Sequence, residues 1–343
     1  QRLYADRDLV SFEEARAGLE HLIRYGQRGA YPYYLLSIAH RLAAEIIRDQ
    51  RGEDDPEVAR HFAAALDWAR RGQDASADAE RAVTGEAECL ESMGRFEEAI
   101  EARTRALAAS SDARWQYEAL HYRWRLYFWT GQFDRALHDL ERVAAEFARG
   151  EPLERMYQHV FPALVLAQSA ELAAALSCAD RLAHEEPATA INTIWGATLL
   201  RLLGRSDEAA ELLEARRGAL EQADGNDALR PEGWLDSLYA FSSGRLTLDE
   251  LLATADQLPQ RKKLLGEAYF HAAAIELVTG RRERAAELLD AARRTFDGET
   301  NYTYHARVLL QELQADPHWP AWIPADAAAS DEPGNADGRE DAP

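Results

Sequence analysis

Met93-Gly94-Arg95-Phe96-Glu97-Glu98-Ala99-Ile100 and Thr130-Gly131-Gln132-Phe133-Asp134-Arg135-Ala136-Leu137 follow one plan: Gly, one residue, Phe, two residues, Ala. The second copy lies 37 residues after the first. A period of that length is the mark of a helical repeat array. The spacing has a physical reason. Glycine takes the left-handed conformation that ends one helix and reverses the chain. The aromatic residue two positions on anchors the start of the next helix, and the small Ala lets the two helices approach closely. One hairpin cannot bury its apolar face alone, so each must stack on the next.

The plan extends to both sides. Glycines at 94, 131, 204, 244 and 280 are separated by 37, 73, 40 and 36 residues. The long interval spans about two periods, so a repeat near Gln168 has lost its glycine. Ala209 follows Gly204 at the expected distance, and Ala285 and Ala292 follow Gly280, but Asp249 stands where the small residue after Gly244 belongs.

On these residues, with Ala106, Trp124 and Tyr127, the chain resembles the tetratricopeptide repeat family over residues 76–314. The resemblance implies an all-α, right-handed α-α superhelix of about six antiparallel hairpins plus a closing helix. It also implies that the first helix of each hairpin lines a concave groove that binds a protein or peptide partner. Some family members clamp a C-terminal carboxylate with Lys and Asn. Here the corresponding positions hold Arg81, Thr84 and Glu88, then Glu118, His121 and Arg125, which form no such clamp.

Composition agrees with an all-α class. Ala, Leu, Glu and Arg dominate, and alternating Val/Ile/Thr runs are absent. The net charge of −21 argues against general nucleic-acid binding, which needs a basic footprint. Lys262 and Lys263 are the only lysines; with the Ala richness, this suggests a high-GC bacterial genome. Cys89 and Cys178 fall in different repeats without zinc or Cys-x-x-Cys spacing, and read as small buried residues. No apolar run approaches the roughly 18 residues of a membrane span. Gln1 is not an initiator Met and no signal-like apolar segment follows it, so localisation stays open.

Along the chain, residues 1–75 read as an N-terminal helical cap or diverged repeats. Ser11 and Glu14 suggest a capping box for a helix stopped by Gly26. Pro32 opens a second helix, and Pro56 a third that ends near Gly72. Beyond the two good hairpins, Glu151-Pro152 opens a weak one with a kink at Pro162. Pro187 opens the next, Asp224–Asp227 form a turn, and residues 228–257 and 261–296 make two more hairpins before a closing helix at 301–314. The Trp/Pro segment 315–324 is expected to fold back over the last helix as a cap. Residues 325–343, with six carboxylates and one Arg, read as a disordered acidic tail.

No phosphate loop, nucleophile elbow or zinc-protease motif occurs, and the ten histidines show no helical ligand spacing. The reading is therefore non-enzymatic, with no catalytic, cofactor or metal residues. The acid pairs at 54–55, 97–98 and 185–186 suit helix starts and loops. An α/α-toroid glycoside hydrolase is the enzymatic alternative, and a peptide-sensing regulator the alternative within the same fold.

The richest chemistry lies in the helix around 114–129. Tyr117, Leu120, Trp124 and Tyr127 share one face and should pack inside the stack. Glu118, His121, Tyr122, Arg125, Phe128 and Trp129 remain as the candidate partner-binding face. A second cluster, Arg261, Lys262 and Lys263 with Arg293 and Arg294, reads as a solvated basic end.

Overall fold

The computed structural model describes residues 9–25, 29–52, 54–75, 80–147, 156–168, 171–184, 190–222, 231–295 and 301–324. The expected stops and turns at Gly26, Glu151-Pro152, Pro187 and Asp224–Asp227 lie outside these residues, as does the tail 325–343. Among the described residues the chain is all-helical, with no strand. It forms two compact units, Gln1–Tyr157 and Gln158–Pro343.

The first unit holds α1 (Leu9–Arg24), α2 (Tyr31–Arg51), α3 (Pro56–Ala75), α4 (Glu80–Ser92), α5 (Phe96–Ala109), α6 (Ala113–Trp129) and α7 (Phe133–Arg142). A π-helical turn, Val143–Phe147, extends α7. Each helix packs on the next in the chain, and α2 also packs on α4. The helices of residues 9–75 thus share one unit with the first two repeat hairpins.

Pro32 opens α2 as expected, within its first turn. The first helix already includes Ser11, so Ser11 is not its cap. α3 runs past Gly72 to Ala75. A Cβ on Gly72 would stand 2.9 Å from the Tyr33 Cβ and 3.0 Å from the Ala82 Cβ. Glycine there permits close approach of α2 and α4 to α3, and tertiary contact outweighs its poor helix propensity.

The second unit holds α8 (Phe161–Gln168), α9 (Leu172–His184), α10 (Ala190–Leu202), α11 (Ser206–Gln222), α12 (Trp234–Ser242), α13 (Leu248–Gln257), α14 (Arg261–Val278), α15 (Arg282–Arg294) and α16 (Asn301–Ala315). Pro162 lies inside a continuous helical run, as expected: a π-helical turn, Met156–Val160, leads directly into α8, and the run changes from π to α geometry just before the proline that removes an interior N–H.

All five repeat glycines are left-handed, with φ between 71° and 79°. Each turn closes with the same two bonds. At the first, the Arg95 N–H donates to the Leu90 carbonyl (2.9 Å) and the Gly94 N–H to the Glu91 carbonyl (3.0 Å). This is the Schellman arrangement. The bond of that pair that spans five residues also persists where the glycine is lost: the Glu171 N–H donates to the Leu166 carbonyl at 2.9 Å. Ala99, Ala136, Ala175, Ala209 and Ala285 are all fully buried at the following helix crossing.

The Gly244 hairpin differs in length. Its turn adds Leu246 and Thr247, and Thr247 caps α13 in a full capping box with Glu250. The crossing position therefore moves from Asp249, which is exposed, to Leu251, which is fully buried.

The second unit departs from stacking on chain neighbours alone. α10 packs directly on α14, past the short α12–α13 hairpin. The Thr198 hydroxyl is hydrogen-bonded to His271 Nδ1 at 2.7 Å. Phe161 of α8 stacks on His305 of α16, ring centroids 5.8 Å apart. The first and last helices of this unit thus meet at one aromatic core, where Trp195, Phe270 and Tyr302 pack together. Within that core the buried Glu267 carboxylate accepts from the Trp234 indole (2.9 Å) and from the Tyr302 hydroxyl.

The 319–324 segment folds back, but to a place the sequence did not indicate. The Trp322 indole donates to the Leu202 carbonyl at 3.0 Å, and Ile323 is buried beside Gly204. Arg282 donates to the carbonyls of Trp319 (3.0 Å), Pro320 (3.3 Å) and Ile323 (2.6 Å). The segment therefore ties the α10–α11 turn to the start of α15.

Candidate functional site

The α6 helix starts from a cap: the Asp112 carboxylate accepts from the Arg114 N–H at 2.8 Å. It ends at Gly131. Between them the expected inward stripe is largely inward: Leu120, Trp124 and Tyr127 are buried, while Tyr117 is half-buried.

The six candidate residues divide into three groups. Phe128 and Trp129 serve the packing. Phe128 is only 2% exposed and lies against Trp124 and Phe133, and Trp129 stacks on Phe96 of the preceding hairpin at 4.4 Å. The expectation that hairpin packing leaves Phe128 free is corrected. The two aromatic residues that follow Gly94 and Gly131, Phe96 and Phe133, each lie against a ring of α6.

Arg125 and His121 form a hydrogen-bonded chain. Arg125 is also buried, at 3% exposure. Its Nη2 contacts His121 Nε2, and His121 Nδ1 contacts the Tyr157 hydroxyl. That hydroxyl pairs with the Tyr117 hydroxyl at 2.9 Å. A guanidinium can only donate, so Nε2 must accept and Nδ1 must carry the proton of a neutral ring. Burial, then the Arg125 and Arg103 charges, hold the His121 pKa well below the ordinary histidine range. The Tyr157 phenol is pushed up by its burial.

Glu118 and Tyr122 are half-buried and remain at the face. Tyr122 lies between two guanidinium groups, Arg103 at 4.4 Å and Arg125 at 5.0 Å from its ring centroid. These distances are within cation–π range. The Glu118 carboxylate makes no hydrogen bond or ion pair with any described residue. Burial raises its pKa, and Glu88 and Glu91 add to the rise against the opposing Arg103 charge.

Three neighbours escaped the sequence reading. Arg103 of α5 is fully buried and bonded through Nε to Glu91 at 2.9 Å. Burial works to lower its pKa, but Glu91 and Glu88 outweigh that and keep it cationic. Its signal was an Arg within the small-residue stripe Ala99, Ala102, Ala106. Trp115, half-buried, has the Arg81 guanidinium 5.5 Å from its ring centroid, and Arg81 also lies 5.2 Å from that of Tyr31. Tyr157 joins from beyond the repeat hairpins and had no local signal.

Nearby charges on α2 and α4 are matched. Arg41 pairs with Glu45 (2.8 Å) and Glu88 (3.5 Å), and the Ser92 hydroxyl donates to Glu45 at 2.8 Å. Elsewhere in this unit Glu86 takes Gln73 and Arg105, while Arg123 grips Asp139 with two bonds of 2.8 Å.

The other candidate features are locally satisfied. Arg261 pairs with Asp256 at 2.5 Å, and Arg293 and Arg294 share Asp290 at 2.6 and 2.5 Å. Cys89 is buried, its thiol pushed up to about 12 by burial, and Cys178 is half-buried. Both are free. Among the described residues no group of three metal-ligating side chains exists, and no helix is long and apolar enough to cross a membrane.

No protein-family model matches the chain, and no curated protein matches it.

Proposed function

We propose that the chain is a non-enzymatic, tetratricopeptide-like scaffold whose first unit binds a protein or peptide partner along the face of α2, α4 and α6. The repeated Schellman turns with a buried small residue at each crossing support the repeat assignment. So does the neighbour-on-neighbour packing of the first unit.

The observation that carries the site is Glu118. It is a half-buried carboxylate that makes no hydrogen bond or ion pair with any described residue. Tyr122 and Trp115 flank it on the same helix. Partly exposed aromatic residues beside an arginine are the residue types that dominate binding energy at interfaces. A partner segment lying along α6 would cover Trp115 and Tyr122 and bring a donor to Glu118.

A photo-crosslinking amino acid placed at position 118 tests this. Crosslinks from 118 to one defined peptide of a co-purifying protein, absent when the same probe is placed at 290, are the expected result. Equal crosslinking from both positions would remove the site from this face.

A further inference from the structure

The N-terminal helix α1 is held through a pair of histidines. Phe12 of α1 is buried against Ile38, Ala39, Leu42 and Ala43 of α2. Its ring also meets two imidazoles edge-on: His40 of α2 and His61 of α3, each with its centroid 5.1 Å away. The two imidazoles face each other with Nδ1 to Nδ1 at 3.1 Å, and both are buried. At that distance one Nδ1 donates and the other accepts. The shared edge holds one proton. A second would set N–H against N–H and place two positive rings in contact.

We propose that the His40–His61 pair is an acid-operated latch for α1: the neutral, hydrogen-bonded pair carries Phe12, and protonation of both rings lets α1 leave α2 and α3.

The surrounding charges leave the pair without a counter-ion. From α1, Arg16 is bound to Glu13 (2.7 Å) and Glu20 (2.8 Å). From α3, Arg60 is bound to Glu57 at 2.5 Å. The three nearby carboxylates are thus engaged by arginines. Burial, then His61 and Arg16, lower the His40 pKa to about 4, and Glu20 and Glu13 oppose this weakly. Burial, then Arg60, lowers that of His61, against Glu57 and Glu13. No third His, Cys, Asp or Glu among the described residues completes a metal shell around the pair.

The direction follows. With α1 docked, the rings resist protons that they take up normally once α1 has left. Docking is at full strength above the ordinary value of 6.5 and weakens as pH falls from there toward 4. At pH 5 the whole His40 shift corresponds to about thirty-fold, which is the ceiling on how far His40 can move the docking equilibrium.

Hydrogen exchange on the full chain reads this directly, with each amide normalised to its unstructured rate at the same pH. Between pH 7.5 and 5.0, α1 amides should lose protection, by up to about thirty-fold through His40, while those of α5 hold theirs. In the double variant His40→Phe with His61→Phe, α1 protection should be the same at both pH values. Constant α1 protection in the natural chain overturns the proposal, and so does a loss that persists in the double variant. Should that variant not fold, titration of the two ring C2–H signals in the natural chain decides. Both rings titrating at 6.5 or above, with α1 in place, also overturns it.

Discussion

Trp195 lies flat against Tyr302, ring centroids 5.2 Å apart and planes 12° from parallel. The contact joins α10 to α16 across the whole of the intervening hairpins and closes the second unit on itself. Tyr302→Ala should therefore cost about 3–5 kcal/mol. It should also lower the unfolding midpoint of α8, α10 and α14 together, followed by residue-resolved exchange. Loss confined to α15 and α16 would mean that the unit unravels hairpin by hairpin instead.

Gly131 isolates the backbone contribution of the repeat turn. Its φ is +71° and a Cβ built there meets nothing within 4 Å. Gly131→Ala should cost about 1–2 kcal/mol from backbone strain alone, measured by urea titration. Ala136, five residues on, is fully buried. Ala136→Leu should overpack the same hairpin by about 1–3 kcal/mol. A chain that tolerates both changes would refute the turn plan.

Arg282 fastens the returning 319–324 segment through backbone carbonyls. Arg282→Ala should lower thermal stability by about 1.5–3 kcal/mol, the range for charged hydrogen bonds. Truncation after Ala315 should do at least as much, and truncation after Pro324 nothing. Equal melting of both truncated chains would show that the segment contributes no stability.

His121 depends on Tyr157 as the acceptor for its Nδ1–H. Tyr157→Phe strands that buried donor and should cost about 1–3 kcal/mol. His121 is held below its ordinary pKa when folded, so its contribution is complete above 6.5 and is lost as pH falls below that value. A His121→Phe variant should accordingly show a shallower loss of stability between pH 7 and pH 5 than the natural chain. An identical slope would remove His121 from the acid response.

The turn code was legible because it is local. Gly94, Gly131, Gly204 and Gly280 with Ala99, Ala136, Ala209 and Ala285 encode conformation and crossing within a few residues. Where tertiary packing decides, counting from the glycine misled. Asp249 marked a failed repeat only until the longer, Thr247-capped turn moved the crossing to Leu251. Gly72 looked like a helix stop because the chain alone does not reveal Tyr33 and Ala82 pressing on it. The α6 face was half legible. Helical periodicity separated Trp124 from Glu118 but placed Phe128 on the candidate partner-binding face, since nothing local announces that Phe133 will cover it. The His40–His61 pair and the Phe161–His305 stack join distant positions without a motif, and no spacing rule reaches them.

Arg125→Ala with Phe128→Ala removes two buried side chains of α6. It should melt unit one by several kcal/mol, with about 3–5 from Phe128 alone, rather than report on binding.

Binding is tested most directly by titration calorimetry of the isolated partner against the chain carrying Trp115→Ala with Glu118→Gln. The account predicts an affinity loss of at least about 2 kcal/mol, unchanged helicity, and natural affinity in the control Arg293→Ala with Arg294→Ala. Undiminished affinity in the first variant, or a loss only in the control, would contradict it.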